Sequence, residues 1–173
     1  SATPRSWDES DAEHGGVSPF GAQVIAAMNR VGIMVDVSHI SKQSMLDAVR
    51  LSRAPVIASH SGARALADHP RNLDDEQLLA LSEQGGVLQT VAFSGYVKVD
   101  LAEKKAAIRA LREAFEISAE RKLEALSDEE RADYDQRLAT IDTAWPAANV
   151  SDLVDHIDYA VHLIGIDHVG ISS

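Results

Sequence analysis

IMVDVSH (residues 33–39) and PVIASH (residues 55–60) are two short apolar runs that each end in Ser-His. Helix-like sequence flanks both, so each is predicted to form a buried strand of a βαβ unit. The carboxyl ends of parallel strands meet on one face, where functional sites are built. Two imidazoles delivered there can bind one metal ion, because histidine is a common zinc ligand. The alternative is two unrelated histidines, each hydrogen-bonded locally.

The rest of the chain continues the alternation of helices and strands. A parallel α/β sheet of four strands is therefore predicted, and by itself this pattern is also compatible with an open doubly wound sheet. The predicted helices are capped by Ser18, Asp74 and Ser151. The predicted elements are helices from Pro19 to about Arg30, Lys42 to Leu51, Asp74 to about Ser82 and Ser151 to Ile164, and strands ending at Val37, Ala58, Ala92 and Ser172.

Composition bounds the class of protein. The 173 residues are 45% hydrophobic and 25% charged, which is enough for one domain with a sizeable core. Sixteen basic against 27 acidic residues give a net charge of −11, which argues against nucleic acid or an anionic membrane as partner. The chain has no cysteine and no apolar run of about 18 residues, so thiolate metal sites and a spanning helix are not expected. The composition does not identify the compartment in which the protein functions.

The segment from Leu101 to Ala144 differs from its surroundings. It is rich in Ala, Leu, Glu, Lys and Arg at helical spacing, and Ser127-x-x-Glu130 predicts a capping box at the start of a second helix. Connections in βα units are usually a few residues long, so this helical pair is predicted to be an insertion. A lid, an oligomer contact such as that of a homodimer, and a solvated decoration are all compatible with it.

Several long motifs resemble one family. VSPFGAQVIAAMNRVGIMVDVSHIS, APVIASHSGARALADHPRNLDDEQL and GGV are similar, in this order, to the membrane dipeptidase (renal dipeptidase) family of zinc metallopeptidases. The resemblance runs from about Gly15 to Phe93 and returns at Val154 to Ser173, in HIDYAVHLIGIDHVGISS. Residues 100–148 resemble only a bacterial branch. The resemblance implies that residues 1–173 are a single partial α/β domain, part of a (β/α)8 TIM-type barrel of the metal-dependent hydrolase type, with a helical insertion at about 101–148.

The resemblance also implies a reaction. His39 and His60 match the histidines that bind the second of two zinc ions, which share a bridging glutamate and a bridging hydroxide. Metal-bound water ionises near neutral pH, so a hydroxide is available to attack a dipeptide carbonyl. Arg71 matches the arginine that holds the carboxylate of the substrate, and a guanidinium fork suits that task. Without the family, a surface arginine before a helix would be the better interpretation of Arg71.

The remaining polar candidates are predicted to lie outside the metal site. No ligand role is expected for the other five histidines: His14, His69, His156, His162 and His168. Asp36 lies in a predicted strand, where a buried carboxylate needs a partner. Either structural hydrogen bonds or support of a histidine would supply one.

Other parts of the family's site have no counterpart in these residues. Members carry an early His-x-Asp pair, a bridging Glu and a substrate-binding His, and their catalytic aspartate would follow Ser173. The chain therefore resembles the second part of a longer enzyme. A polypeptide limited to residues 1–173 is expected to be inactive, with no catalytic residue of its own.

Two other functions remain open. One is another barrel metallohydrolase acting on a lactone or an N-acyl amino acid. The second is a non-catalytic domain, because part of the metal site is absent. Arg71 favours a dipeptide substrate over the first alternative, since only a substrate with a suitably placed carboxylate needs it, and a metal assay would test the second.

Overall fold

The computed structural model describes residues 14–118 and 122–172. Most of the polar lead-in and Ser173 lie outside these residues. The chain divides into two compact units, the first built from residues 1–99 and 149–173 and the second from residues 100–148. The elements of the first unit are α1 (Pro19–Val31), α2 (Lys42–Leu51), β1 (Ile57–Ser61), α3 (Asp75–Glu83), β2 (Val87–Val91), α4 (Ser94–Val97), α7 (Val150–Ile164) and β3 (Val169–Ser172). The second contains α5 (Ala102–Ala114) and α6 (Asp128–Ala144).

The sheet of the first unit is entirely parallel, in the order β1-β2-β3. α3 connects β1 to β2 and packs with α7, so the sheet and its helices form a βαβ arrangement. The core includes Met45, Leu78 and Leu88, whose side chains are completely buried. Burial of side chains of this size stabilises the fold by about 1.5–3 kcal/mol each.

The predicted four-stranded sheet is wrong for the described residues, which contain three strands. Residues 33–37 make only one isolated bridge, between Asp36 and Ile57. The Val37 amide donates to the Ile57 carbonyl at 2.8 Å, and the Ile57 amide donates to the Val35 carbonyl at 3.0 Å. The pairing stops there because the Ser38 amide turns back to Oδ1 of Asp36 at 2.9 Å, which is a turn rather than a strand geometry.

Helix starts were predicted well where a side chain reaches the first turn. Ser18 accepts from the Gly21 amide, and Asp74 forms a capping box with Gln77. The prediction that Ser151 caps the last helix is wrong, because Asn149 occupies that position and its carbonyl accepts from two amides. The amide side chain of Asn149, two residues before Ser151, therefore satisfies donors of the first turn, the amides of Ser151 and Asp152.

The second unit is a helical pair with its own small core. Leu111, Ile117 and Tyr134 are buried together, and the rings of Phe115 and Tyr134 meet edge to face at 5.4 Å. Ser127 and Glu130 form the predicted capping box at the start of α6. Lys104 is buried between Asp100 and Asp142, and hydrogen bonds from its ammonium to these carboxylates raise its pKa although burial opposes this. These contacts are all internal to the unit.

Candidate metal and substrate site

His39 and His60 lie side by side at the carboxyl end of the sheet. Their ring centroids are 4.8 Å apart, with the planes tilted by 59°. The sequence therefore predicted correctly that the two imidazoles are neighbours. Burial lowers the pKa of His39, and the nearby positive charge of Arg71 lowers it further. A lowered pKa keeps the imidazole neutral, which is the form that binds metals.

The two histidines reach this place by different backbone routes. His39 has φ = 72°, a left-handed conformation that is uncommon outside glycine. His60 lies in β1, where the register against β2 shifts between Ala58 and Ser61. This irregularity adds one residue to β1, and such bulges commonly re-aim side chains beside functional sites.

Asp36 connects the two Ser-His segments. Its Oδ1 accepts from the amides of Ser38 and Ser59 at 2.9 and 3.2 Å, and its Oδ2 accepts from the Ser59 hydroxyl at 2.5 Å. Asp36 is exposed, yet partial desolvation of its carboxylate would raise its pKa; these hydrogen bonds outweigh that effect and lower the pKa below 3.8. The Ser38 hydroxyl in turn accepts from the His60 amide at 3.0 Å. The sequence predicted structural hydrogen bonds or support of a histidine for Asp36 without naming a partner, and the structure shows Ser38 and Ser59 as the partners.

Arg71 is buried in the loop that follows β1, with 6% of its surface exposed. Its Nη1 donates to the hydroxyl of Tyr96 at 2.8 Å, and its guanidinium carbon lies 5.1 Å from the centre of that ring. The His69 ring lies 4.7 Å from the Tyr96 ring, tilted by 39°, and its Nδ1 accepts from the Arg71 amide. Burial lowers the pKa of Arg71, although an arginine remains charged at neutral pH. Arg71 and His39 line the same small pocket.

Tyr96 was missed in the sequence. It lies on α4, shortly after β2 ends at Val91, and a polar side chain that follows a parallel strand is expected on the face of the sheet where the two Ser-His pairs lie. The carbonyl of Tyr96 also accepts from the side chain of Asn72 at 2.7 Å. Tyr96 therefore fixes both Arg71 and its neighbour in sequence.

His156 has both ring nitrogens occupied. Nδ1 accepts from the Ala63 amide at 3.0 Å, and Nε2 donates to the Val97 carbonyl at 2.9 Å. The side chain is almost completely buried and joins α7 to the loop after β1 and to α4. A β-carbon at Gly62 would lie 3.0 Å from its Nδ1, so this packing also requires a glycine. The role of His156 is therefore structural, since its hydrogen bonds hold α7 against the loop after β1 and against α4.

The donor set fits part of a metal site. Two adjacent imidazoles are suitable ligands for zinc, but a complete site needs three or four protein ligands. Within residues 14–118 and 122–172, no group of three or more His, Cys, Asp or Glu side chains is arranged to hold a metal ion. His39 and His60 can therefore contribute two ligands to a site whose other ligands come from elsewhere.

None of the helices in these residues is long and apolar enough to span a membrane.

Comparison with known proteins identifies the family. The family model described as "Membrane dipeptidase (Peptidase family M19)" matches residues 1–173. Dipeptidase aclJ of Aspergillus oryzae is 30% identical over 163 residues, which is 94% of this chain and 28% of that protein. The chain thus spans little more than a quarter of this curated relative.

Solved structures extend the similarity to the fold. The probable dipeptidase PvdM from Pseudomonas aeruginosa is 37% identical with a TM-score of 0.71, over 94% of this chain and 44% of that one. A metallo peptidase from Rhodobacter sphaeroides, liganded with a phosphinate mimic of the dipeptide L-Ala-D-Ala, is 25% identical with a TM-score of 0.61. The alignment covers 91% of this chain and 33% of that one. The predicted α/β fold, part of a TIM-type barrel, is confirmed, and the chain belongs to the membrane dipeptidase family.

Proposed function

We propose that the protein containing this chain is a zinc-dependent dipeptidase and that His39 and His60 bind one ion. The observation that carries this proposal is the pair of adjacent imidazoles beside a buried arginine, in a chain of this family. A bound zinc ion supplies Lewis acidity at the scissile carbonyl and a water far more acidic than bulk water. In this proposal the first unit is part of the barrel domain, and residues 100–148 are inserted into it.

Arg71 is proposed to bind the substrate carboxylate. The guanidinium is held by Tyr96, so little side-chain entropy remains to be lost when a ligand binds. A carboxylate in the pocket shared with His39 would place the peptide bond near the imidazole pair. Such an anchor limits hydrolysis to substrates whose free carboxylate lies one residue beyond the scissile bond.

Hydrolysis of matched compounds tests this function. The intact protein is stripped with a chelator, reloaded with zinc and assayed on L-Ala-D-Ala, the corresponding dipeptide amide, N-acetylalanine and a simple lactone. We expect zinc-dependent hydrolysis of the dipeptide and a large loss on the amide, which lacks only the carboxylate charge. Faster hydrolysis of the lactone or the N-acyl amino acid would favour another metallohydrolase. No zinc-dependent hydrolysis of any compound would favour a non-catalytic domain.

A further inference from the structure

The Ser59 hydroxyl stands between a carboxylate and an imidazole. Its Oγ lies 2.5 Å from Oδ2 of Asp36 and 2.7 Å from Nδ1 of His60. The other carboxylate oxygen, Oδ1, is fixed by the amides of Ser38 and Ser59. The orientation of the Asp36 carboxylate is thus determined by backbone groups from both Ser-His segments.

The direction of these hydrogen bonds follows from the number of protons available. An ionised carboxylate only accepts, so the 2.5 Å contact uses the single proton of the Ser59 hydroxyl. The oxygen of that hydroxyl can then only accept from His60, which requires the proton of the imidazole to be on Nδ1. The opposite direction would leave two acceptor oxygens facing each other at 2.5 Å with no proton between them.

The consequence falls on the other ring nitrogen. A neutral imidazole with its proton on Nδ1 has its lone pair on Nε2, and lone-pair nitrogens bind metals. Within the described residues, Nε2 of His60 makes no hydrogen bond, whereas both nitrogens of the buried His156 do. His156 therefore uses both ring nitrogens in structural hydrogen bonds, whereas His60 has Nε2 available to bind a metal ion.

We propose that Asp36 and Ser59 are positioning residues that hold His60 in the Nδ1–H tautomer and so present Nε2 to the metal ion. The tautomer assignment stands on the hydrogen bonds alone, while the metal-facing role rests on the proposed function. Partners of this kind orient metal-binding histidines and typically change metal affinity by about 10–100-fold when removed.

The test uses the intact protein with ¹⁵N-labelled histidine. The variants are Ser59→Ala, Ser59→Thr and Asp36→Asn, with Ser38→Ala as the matched control, because Ser38 contacts the amide of His60 but not its ring. Ring ¹⁵N shifts of the metal-free protein report the tautomer, and the signals of His60 are assigned by their absence in His60→Gln. Zinc affinity is measured by competition with a chromogenic chelator.

We expect the Nδ1–H form in wild type, Ser59→Thr and Ser38→Ala. In Ser59→Ala the His60 signals should shift toward the Nε2–H form, and zinc should bind about 10–100-fold more weakly. Asp36→Asn should shift the His60 signals in the same direction as Ser59→Ala, because its one amide oxygen accepts from the amides of Ser38 and Ser59. Its NH2 then faces the Ser59 hydroxyl as a donor, which frees the hydroxyl proton for Nδ1 of His60. Recovery of both readouts in Ser59→Thr excludes a general loss of structure as the cause.

Two results would overturn the inference. One is a Ser59→Ala protein that keeps the Nδ1–H form, whatever its zinc affinity. The second is a changed tautomer with zinc affinity equal to wild type. Failure of wild type to bind zinc would instead overturn the proposed function, and the tautomer measurement in the metal-free protein distinguishes that case.

Discussion

The two Ser-His segments share a sequence pattern but hold their histidines in different ways. The second segment enters the sheet, and its histidine is fixed by hydrogen bonds to the hydroxyls of Ser59 and Ser38. The first makes one bridge to the sheet, and its histidine is aimed by a left-handed backbone at φ = 72°. A shared sequence pattern thus does not give both segments the same backbone conformation. The position of each segment relative to the sheet decides which strand it can pair with.

Loss of either imidazole should have the largest effect. His39→Ala and His60→Ala should both lower zinc content and dipeptide turnover together, by more than the roughly 10–100-fold expected for a supporting residue. The same loss in both variants would show that the two histidines bind one ion, although their backbone conformations differ. Elemental analysis and dipeptide kinetics measure it, with His162→Ala as the control because His162 is exposed on α7. Wild-type zinc content in either variant would contradict a shared ion.

The next effect concerns Arg71, which follows the second segment only. Arg71→Ala should lower kcat/KM for dipeptides. The loss of transition-state stabilisation should be about 2–5 kcal/mol, the usual cost of removing one partner of a desolvated charge pair. Arg71→Lys should recover only part of the lost activity. Lysine keeps the positive charge, but an ammonium cannot donate two parallel hydrogen bonds to a carboxylate. Zinc content should stay at the wild-type level in both variants. The exposed Arg53 provides the control, and unchanged dipeptide kinetics in Arg71→Ala would exclude the carboxylate anchor.

The sequence predicted the elements and the pairing of the histidines better than the detail of the site. Hydrophobic runs and caps such as Asp74 depend on neighbours within a few residues, so they are visible in the sequence. The contact of Ser59 with Asp36 and the contact of Tyr96 with Arg71 depend on residues 23 and 25 positions apart, which no local pattern encodes. The missing strand at residues 33–37 has a local origin instead, because the hydrogen bond from the Ser38 amide to Asp36, two residues away, overrides the β-propensity of the neighbouring residues.

Glycine substitution should separate the two backbone routes. His39→Gly should be more stable than His39→Ala by about 1 kcal/mol, because glycine adopts the left-handed conformation without a steric cost. At His60 the order should reverse by about 0.5–1 kcal/mol, since glycine weakens a strand. Chemical denaturation of the metal-free proteins measures both pairs, and each alanine variant controls for the lost imidazole. The same order at both positions would contradict the difference in backbone conformation.

The smallest expected effect is the acid dependence of the link between the segments. The pKa of Asp36 in the folded protein lies below 3.8, its unfolded value, so the folded state binds fewer protons in this range. The stabilisation is therefore fully present above pH 3.8 and is lost as the pH falls through the lowered folded value. The effect is small because Asp36 is exposed and solvent screens its charge.

The difference in unfolding free energy between wild type and Asp36→Asn should shrink as the pH falls from about 5 toward 3. Asp68→Asn, at a carboxylate whose side chain is 96% exposed, should show no such trend. A difference for Asp36→Asn that is constant across this range would mean that the two segments are joined by the backbone bridge alone.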